Sequence, residues 1–414
     1  MISKLLCLSN RYRVAIALAG FVAVSAAGIK AVAAAEPSFI DSTAYLINPQ
    51  EVHFGALVYV APFALLKAGT DAAHAIHIGS ETDVQDSVTV DASSGAVMLG
   101  EQVIVAHGAA VKGHAEVGEQ GVCPGAATHC PSFVGFNALV DHGNVEKDAM
   151  VLHLARVGAG VTIPSGCKVF PGKNITSQAQ VGVPPACNPP FTDQVTKEDH
   201  VFMAGVVEVN VCFAEKYTEL ATANPDNVRG VNFDPDCPFN PGNQLPTLRT
   251  VPTRDPEFRN RIIGDVRTLD DLPKLNEVMG NKISLRADEG FPFAVGSILK
   301  MGDRTTFHAL EHTHLRLGNN GRYGFHSLVH GGGPAGFATK TGHDFTLGKE
   351  AVFFGSQAGV KVTVGCRSLV QQSTLANGTT VPNFTVMIGN VVMGTVEWGT
   401  CPPPADEEDD DSND

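Results

Sequence analysis

"FVGFNALVDHGNVEKDAMVLHLARVGAGVTIPSGCKV", residues 133–169, decides the fold. An apolar side chain recurs at every sixth position: Phe133, Leu139, Val145, Val151, Val157, Ile163 and Val169. A helix would repeat at 3.6 residues and a strand at 2. A period of six is that of a short strand plus a turn, three of which complete one coil of a solenoid around a narrow axial core. The same period runs upstream through Ile78, Val84 and Val90, then Leu99, Val105, Val111 and Val117. It returns in the second half at Val295, Met301, Phe307; Leu317, Tyr323, Val329; Val352, Ala358, Val364, Val370; and Leu375, Val381, Met387. The predicted fold class is therefore all-β, with two tandem parallel β-helix domains over 37–222 and 256–400. A Pro/Asn/Asp-rich linker, 223–255, separates them. The stretch "VVEVNVCFAEKYTEL" (206–220) predicts an α-helix that closes the first domain.

The bulk composition narrows the function. The 414 residues carry 43 acidic against 29 basic side chains, a net charge of −14, which argues against a nucleic-acid partner. Part of that excess lies in 401–414, read as a disordered acidic tail. At the other end, a basic start and an apolar run place Ala33 and Ala35 at the small-residue positions of a cleavage site. Residues 1–35 thus read as a cleavable signal peptide of a periplasmic or secreted protein, with no stable membrane anchor beyond it. Removing it takes Cys7 from the nine cysteines and leaves eight, an even number suited to an oxidising compartment. Cys123 and Cys130 bracket one short Pro/Gly loop and are the first disulfide candidates. Cys167–Cys187, Cys212–Cys237 and Cys366–Cys401 follow by order alone.

Several segments resemble the γ-class carbonic anhydrases, members of the hexapeptide-repeat superfamily. They are "FIDSTAYLINP" (39–49), "DVQDSV" (83–88), "VAHGAAVKG" (105–113), "GVTIPSG" (160–166) and "SLRADEGFPFAVG" (284–296), the last followed by "FHAL". The resemblance covers nearly the whole chain between signal and tail, apart from the linker. It implies left-handed β-helices and a metal, Zn2+ or Fe2+, held by three histidines at an interface within a trimer-like ring. It also implies reversible hydration of carbon dioxide to bicarbonate by a metal-bound hydroxide.

The hexad register carries the family's ligand positions onto both halves, and each half is incomplete. The first position holds Asp91 in one and His308 in the other; the second, His107 and Phe325; the third, Lys112 and His330. A lysine ammonium beside a metal repels it, so first domains alone hold none. Two readings stay open at this point: a composite site of His308, His330 and His107, or a self-contained one in which His326 replaces His107. The resemblance further assigns Arg286 and Asp288 to an interface ion pair, Glu289 and Glu311 to the active-site glutamates with Glu311 as proton shuttle, Gln85 to orienting the hydroxide, and Asn210 to the substrate side. Lys67 stands in the first domain where the arginine would be, and Gly302 in the second where the glutamine would be. His312 and His314 read as exposed neighbours. The competing function is a non-catalytic scaffold or bicarbonate-binding subunit without metal. Expected partners are carbon dioxide and bicarbonate, further copies of the chain, or a related anhydrase subunit.

Overall fold

The computed structural model describes residues 38–223 and 260–401, except positions 126, 128, 265, 271, 292, 311, 312 and 335. The expected signal peptide, most of the expected linker, all but the first residue of the acidic tail, Glu311 and His312 lie outside the described residues.

Each half is a three-sided β-helix. The first half builds sheets of eight, seven and six strands, the second of eight, six and five, and most strands pair in parallel with the third strand along the chain. Strands two to five residues long turn sharply at the corners. Many of those corners use left-handed backbone at non-glycine residues, among them Ser87 (φ 57°), Asn137 (φ 51°) and His326 (φ 55°). Both domains end in an antiparallel strand that stops further parallel stacking: Thr192–Gln194 on Cys167–Val169, and Val391–Thr395 on Thr385–Ile388.

The axial cores are the hexad residues, with one correction. Val134 and Val140 point inward, not Phe133 and Leu139, and Phe353 does so in place of Val352. The slip has the same cause in both halves. The chain steps only five residues from Val140 to Val145 and from Phe353 to Ala358, at the corner between matching sheets. Phe133 and Val352 instead join a second apolar cluster outside the axes, with Ile104, Met150, Leu328, Leu369 and Val386 from both domains. Burying large apolar side chains stabilises such a surface by ~1.5–3 kcal/mol each, and here it glues the two β-helices face to face.

The predicted helix spans Lys197–Ala223. Thr196 caps it: its Oγ1 accepts from Asp199 N (3.2 Å) while Asp199 Oδ2 accepts from Thr196 N (2.7 Å), pairing two otherwise orphaned donors. Lys168 anchors that turn through Asp199 at 2.6 Å. The helix does more than close the first domain. Met203, Val207 and Val211 pack into the interdomain cluster, and Phe213 and Tyr217 pack against Phe39, Tyr59 and Ile263. Disulfides join Cys123–Cys130, Cys167–Cys187 and Cys366–Cys401, as expected. Cys212 is also disulfide-bonded, while Cys237 lies outside the described residues. No helix among the described residues is long and apolar enough to cross a membrane.

Candidate metal centre

The eight-stranded sheet of the second domain sets Arg286, His308, His330 and Phe354 in register on neighbouring strands. Their side chains leave the axis and meet the first domain, where His107 follows the strand Val103–Val105. His107 Nε2 lies 2.9 Å from His308 Nδ1, which lies 3.2 Å from His330 Nε2. The three residues are buried and form the one described His/Cys/Asp/Glu group able to hold a metal.

The outer ring nitrogens decide what the inner ones are. His330 Nδ1 sits 2.6 Å from the Gly331 carbonyl, which only accepts, so Nδ1 carries the proton and Nε2 a lone pair. His107 Nδ1 lies 3.1 Å from Asp86 Oδ2, and His308 Nε2 lies 2.8 Å from Glu289 Oε2, both bent off the ideal N–H line. With the outer nitrogens as donors, three lone pairs face one another. That arrangement repels itself unless a cation fills it. A tetrahedral ion with Zn–N near 2.05 Å sets its nitrogens ~3.3 Å apart; His308 Nδ1 stands near that distance from both neighbours, and all three ligand atoms lie within 4.8 Å of one another. Carboxylates behind ligating imidazoles are the usual support of such a site.

Burial keeps the imidazoles neutral. It pulls His107 down to about 4, against the pull of Asp86, and His308 to about 4, with Arg286 adding to the effect. His330 falls well below the ordinary value, by burial and then by its neighbour His308. Burial also pushes the Glu289 carboxyl up to about 8, with Arg286 opposing and Asp288 adding.

A buried charge network holds the centre together across the domains. Arg286 bonds Asp288 of its own strand end at 2.7 Å and Asp86 of the first domain at 2.8 Å. Tyr217 from the helix donates to Asp288 at 2.6 Å. Against the cost of burial, Arg286 and His107 hold the Asp86 carboxyl well below the usual carboxylate range. Asp86 thus serves the arginine and the histidine at once.

Beside the histidines lies a cleft with two kinds of wall. Gln85, Asn210, Arg286 and Glu289 line the polar side; Phe133, Phe136, Phe202, Val206 and Phe354 line the other. Gln85 accepts from His107 N (3.2 Å) and donates to Asp83 (2.7 Å), which leaves one amide proton free of both bonds. Asn210 donates to the Val206 carbonyl at 2.8 Å.

Of the expected residues, the structure brings together His107, His308, His330, Arg286, Asp288, Glu289, Gln85 and Asn210. Glu311 lies outside the described residues. His326 does not join the centre. It sits half-buried at a corner facing Gly108, and its carbonyl accepts from Asn137 Nδ2 at 3.2 Å. His314 is not simply exposed but half-buried, stacked on Phe291 with centroids 4.5 Å apart. The first domain's ligand positions form a surface ladder, Lys67, Asp91, Lys112 and Asp141, with Lys67 and Asp91 3.4 Å apart. Sequence reasoning missed Asp86, Tyr217 and the apolar wall.

Comparison with known proteins places the chain. It is 33% identical over 213 residues to a carbonic anhydrase of Methanosarcina thermophila, a match covering 45% of this chain and 78% of that relative. The chain belongs to the γ-class carbonic anhydrase family. A carboxysome assembly protein, CcmM of Nostoc sp., is 27% identical over 193 residues, covering 44% of this chain but only 30% of that protein. Among solved structures, a hexapeptide transferase family protein from Anaplasma phagocytophilum covers 45% of the chain and 95% of its own length, at 19% identity and a TM-score of 0.30. The UDP-N-acetylglucosamine acyltransferase of Francisella novicida covers 84% of the chain and 66% of its own length, at 8% identity and a TM-score of 0.17. No protein-family model matches. Within this chain, the three-histidine group draws on both β-helical domains.

Proposed function

We propose that the protein hydrates carbon dioxide reversibly at a metal held by His107, His308 and His330. The observation that carries this reading is the convergence of three imidazole lone pairs, each backed by its own acceptor. Zn2+ or Fe2+ bound there supplies an acidified water, for which zinc carbonic anhydrase is itself the reference case, with a pKa of about 7. The chain's own residues do the rest. Neutral imidazoles leave the cation's charge undiminished, and the Asp86 and Glu289 carboxyls fix the tautomers. The aromatic wall of the cleft favours an uncharged, apolar substrate over water. Gln85 keeps one amide proton to direct at an oxygen in the cleft, and Asn210 faces the same space. Glu289, touching both His308 and the cleft, is placed to hold a proton, and Glu311 to pass it outward. Arg286 and Asp288 keep the two domains in register.

A periplasmic or secreted location fits the sequence of residues 1–35 and the disulfides. The second reading, a metal-free scaffold assembling with another anhydrase subunit, draws on Asp91 and Lys112 and on the likeness to a carboxysome assembly protein. Stopped-flow hydration assays separate the two, using full-length mature chain purified without oxygen and loaded with Zn2+ or Fe2+. Metal-dependent turnover that a chelator abolishes supports the enzyme; no turnover with either metal refutes it.

A further inference from the structure

His107 must cross a domain boundary to reach the other two ligands, so something has to set how far it reaches. Its backbone is gripped from the first domain: Gln85 Oε1 accepts from His107 N at 3.2 Å, and Asn137 N donates to His107 O at 3.1 Å. The next residue, Gly108, donates to the Asp86 carbonyl at 2.9 Å. Asn137 then bridges to the second domain. Its two Nδ2 protons go to the His326 carbonyl at 3.2 Å and the Glu350 carbonyl at 3.0 Å, so its donor capacity is used up.

His326 completes the contact from the other side. The residue is half-buried, but its Nε2 is shut from solvent against first-domain backbone, close to Ser87 and the open face of Gly108. A Cβ on Gly108 would collide with Asn137 Oδ1 and lie 2.8 Å from His326 Nε2. Gly108 (φ +70°), Asn137 and His326 all have left-handed backbone, so each is held by surroundings that over-determine it.

We propose that Asn137 and His326 are positioning residues: together they form an interdomain rivet beneath Gly108 that fixes the reach of His107 into the metal centre. Neither belongs to the three-histidine ligand group. The inference rests on the metal-site reading above. It also gives His326 a role that its place outside the ligand set would otherwise leave unexplained.

The test is Co2+ binding to the full chain, read by affinity and by the visible absorption spectrum, which reports coordination number independently of activity. Asn137→Asp turns both donors into acceptors facing two carbonyls. His326→Asn keeps a residue suited to left-handed backbone but removes the ring. We expect each to weaken Co2+ binding at least tenfold and to shift the spectrum toward that of His107→Ala. Should Asn137→Asp fail to fold, Gly108→Ala probes the same contact. Loosening elsewhere in the interface, as in Lys173→Met, which removes the interdomain ion pair with Glu397 (2.5 Å), should lower thermal stability and leave the spectrum alone. Wild-type affinity and spectrum in both rivet variants, with His107→Ala impaired, would overturn the rivet and spare the metal site. Wild-type binding by His107→Ala would overturn both.

Discussion

The same register of the β-helix is used twice in this chain, with opposite results. In the second domain, Arg286, His308 and His330 stand on a covered sheet and are buried, with half-buried Phe354 beside them. In the first domain, the matching ladder of Lys67, Asp91, Lys112 and Asp141 lies at the surface and pairs charge with charge. One backbone geometry therefore yields a neutral, desolvated histidine cluster where the other domain covers it and an ion-pair ladder where, among the described residues, nothing does. Burial, more than strand position, separates ligands from surface residues here.

The largest effect that would break this contrast comes from the ligands. His308→Ala and His107→Ala should each abolish stoichiometric metal binding, measured by metal analysis after gel filtration, although the two residues come from different domains. Retention of one metal by either variant would mean that the covered sheet is not the site. Next comes the charge that joins the domains. Arg286→Met leaves Asp86 and Asp288 buried without the cation they share, and should cost about 3–5 kcal/mol in denaturant unfolding.

Acid should act on the covered side first. In the metal-free chain burial depresses His107 and His308 to about 4, His153 and His326 to about 3, and His330 well below 6.5. The unfolded chain therefore binds more protons below about 6.5, and stability falls as pH drops through that value toward 4. Asp83, Asp148 and Glu289, all raised by burial, act in the opposite sense, but they are three carboxyls against five imidazoles. Denaturant melts at pH 7.5 and pH 5 should show this loss, and equal midpoints would contradict it. The smallest effect belongs to the exposed ladder. Lys67→Met should change stability by no more than ~1 kcal/mol and leave metal content untouched. Likewise, placing histidines there as Asp91→His with Lys112→His should create no tight site.

Much of this was legible in the sequence because a six-residue period fixes which side chains share a level. That period put His308 and His330 on adjacent coils and exposed the complementary loss of ligands between halves. It could not say which face of one domain met which face of the other, since contacts between separate solenoids leave no periodic trace. Asp86, Tyr217 and the aromatic wall were missed for that reason. A signal did exist: on covered strands the outward positions are apolar too, as in "SFV" (132–134) and "VFF" (352–354), where a solvated face would be polar. The five-residue corner that moves the inward position from Phe133 to Val134 is hidden among the same apolar pairs. The choice between His107 and His326 turned on packing at one corner, where a half-buried histidine fills the space beside Gly108.

The most direct test of a centre shared between domains is anomalous X-ray diffraction at the metal's absorption edge, from crystals of the metal-loaded chain. The expected result is one strong peak per chain, within coordination distance of His107 from the first domain and of His308 and His330 from the second. A peak bound by His326, a peak on the Asp91–Lys112 face, or none at all after loading would contradict the account.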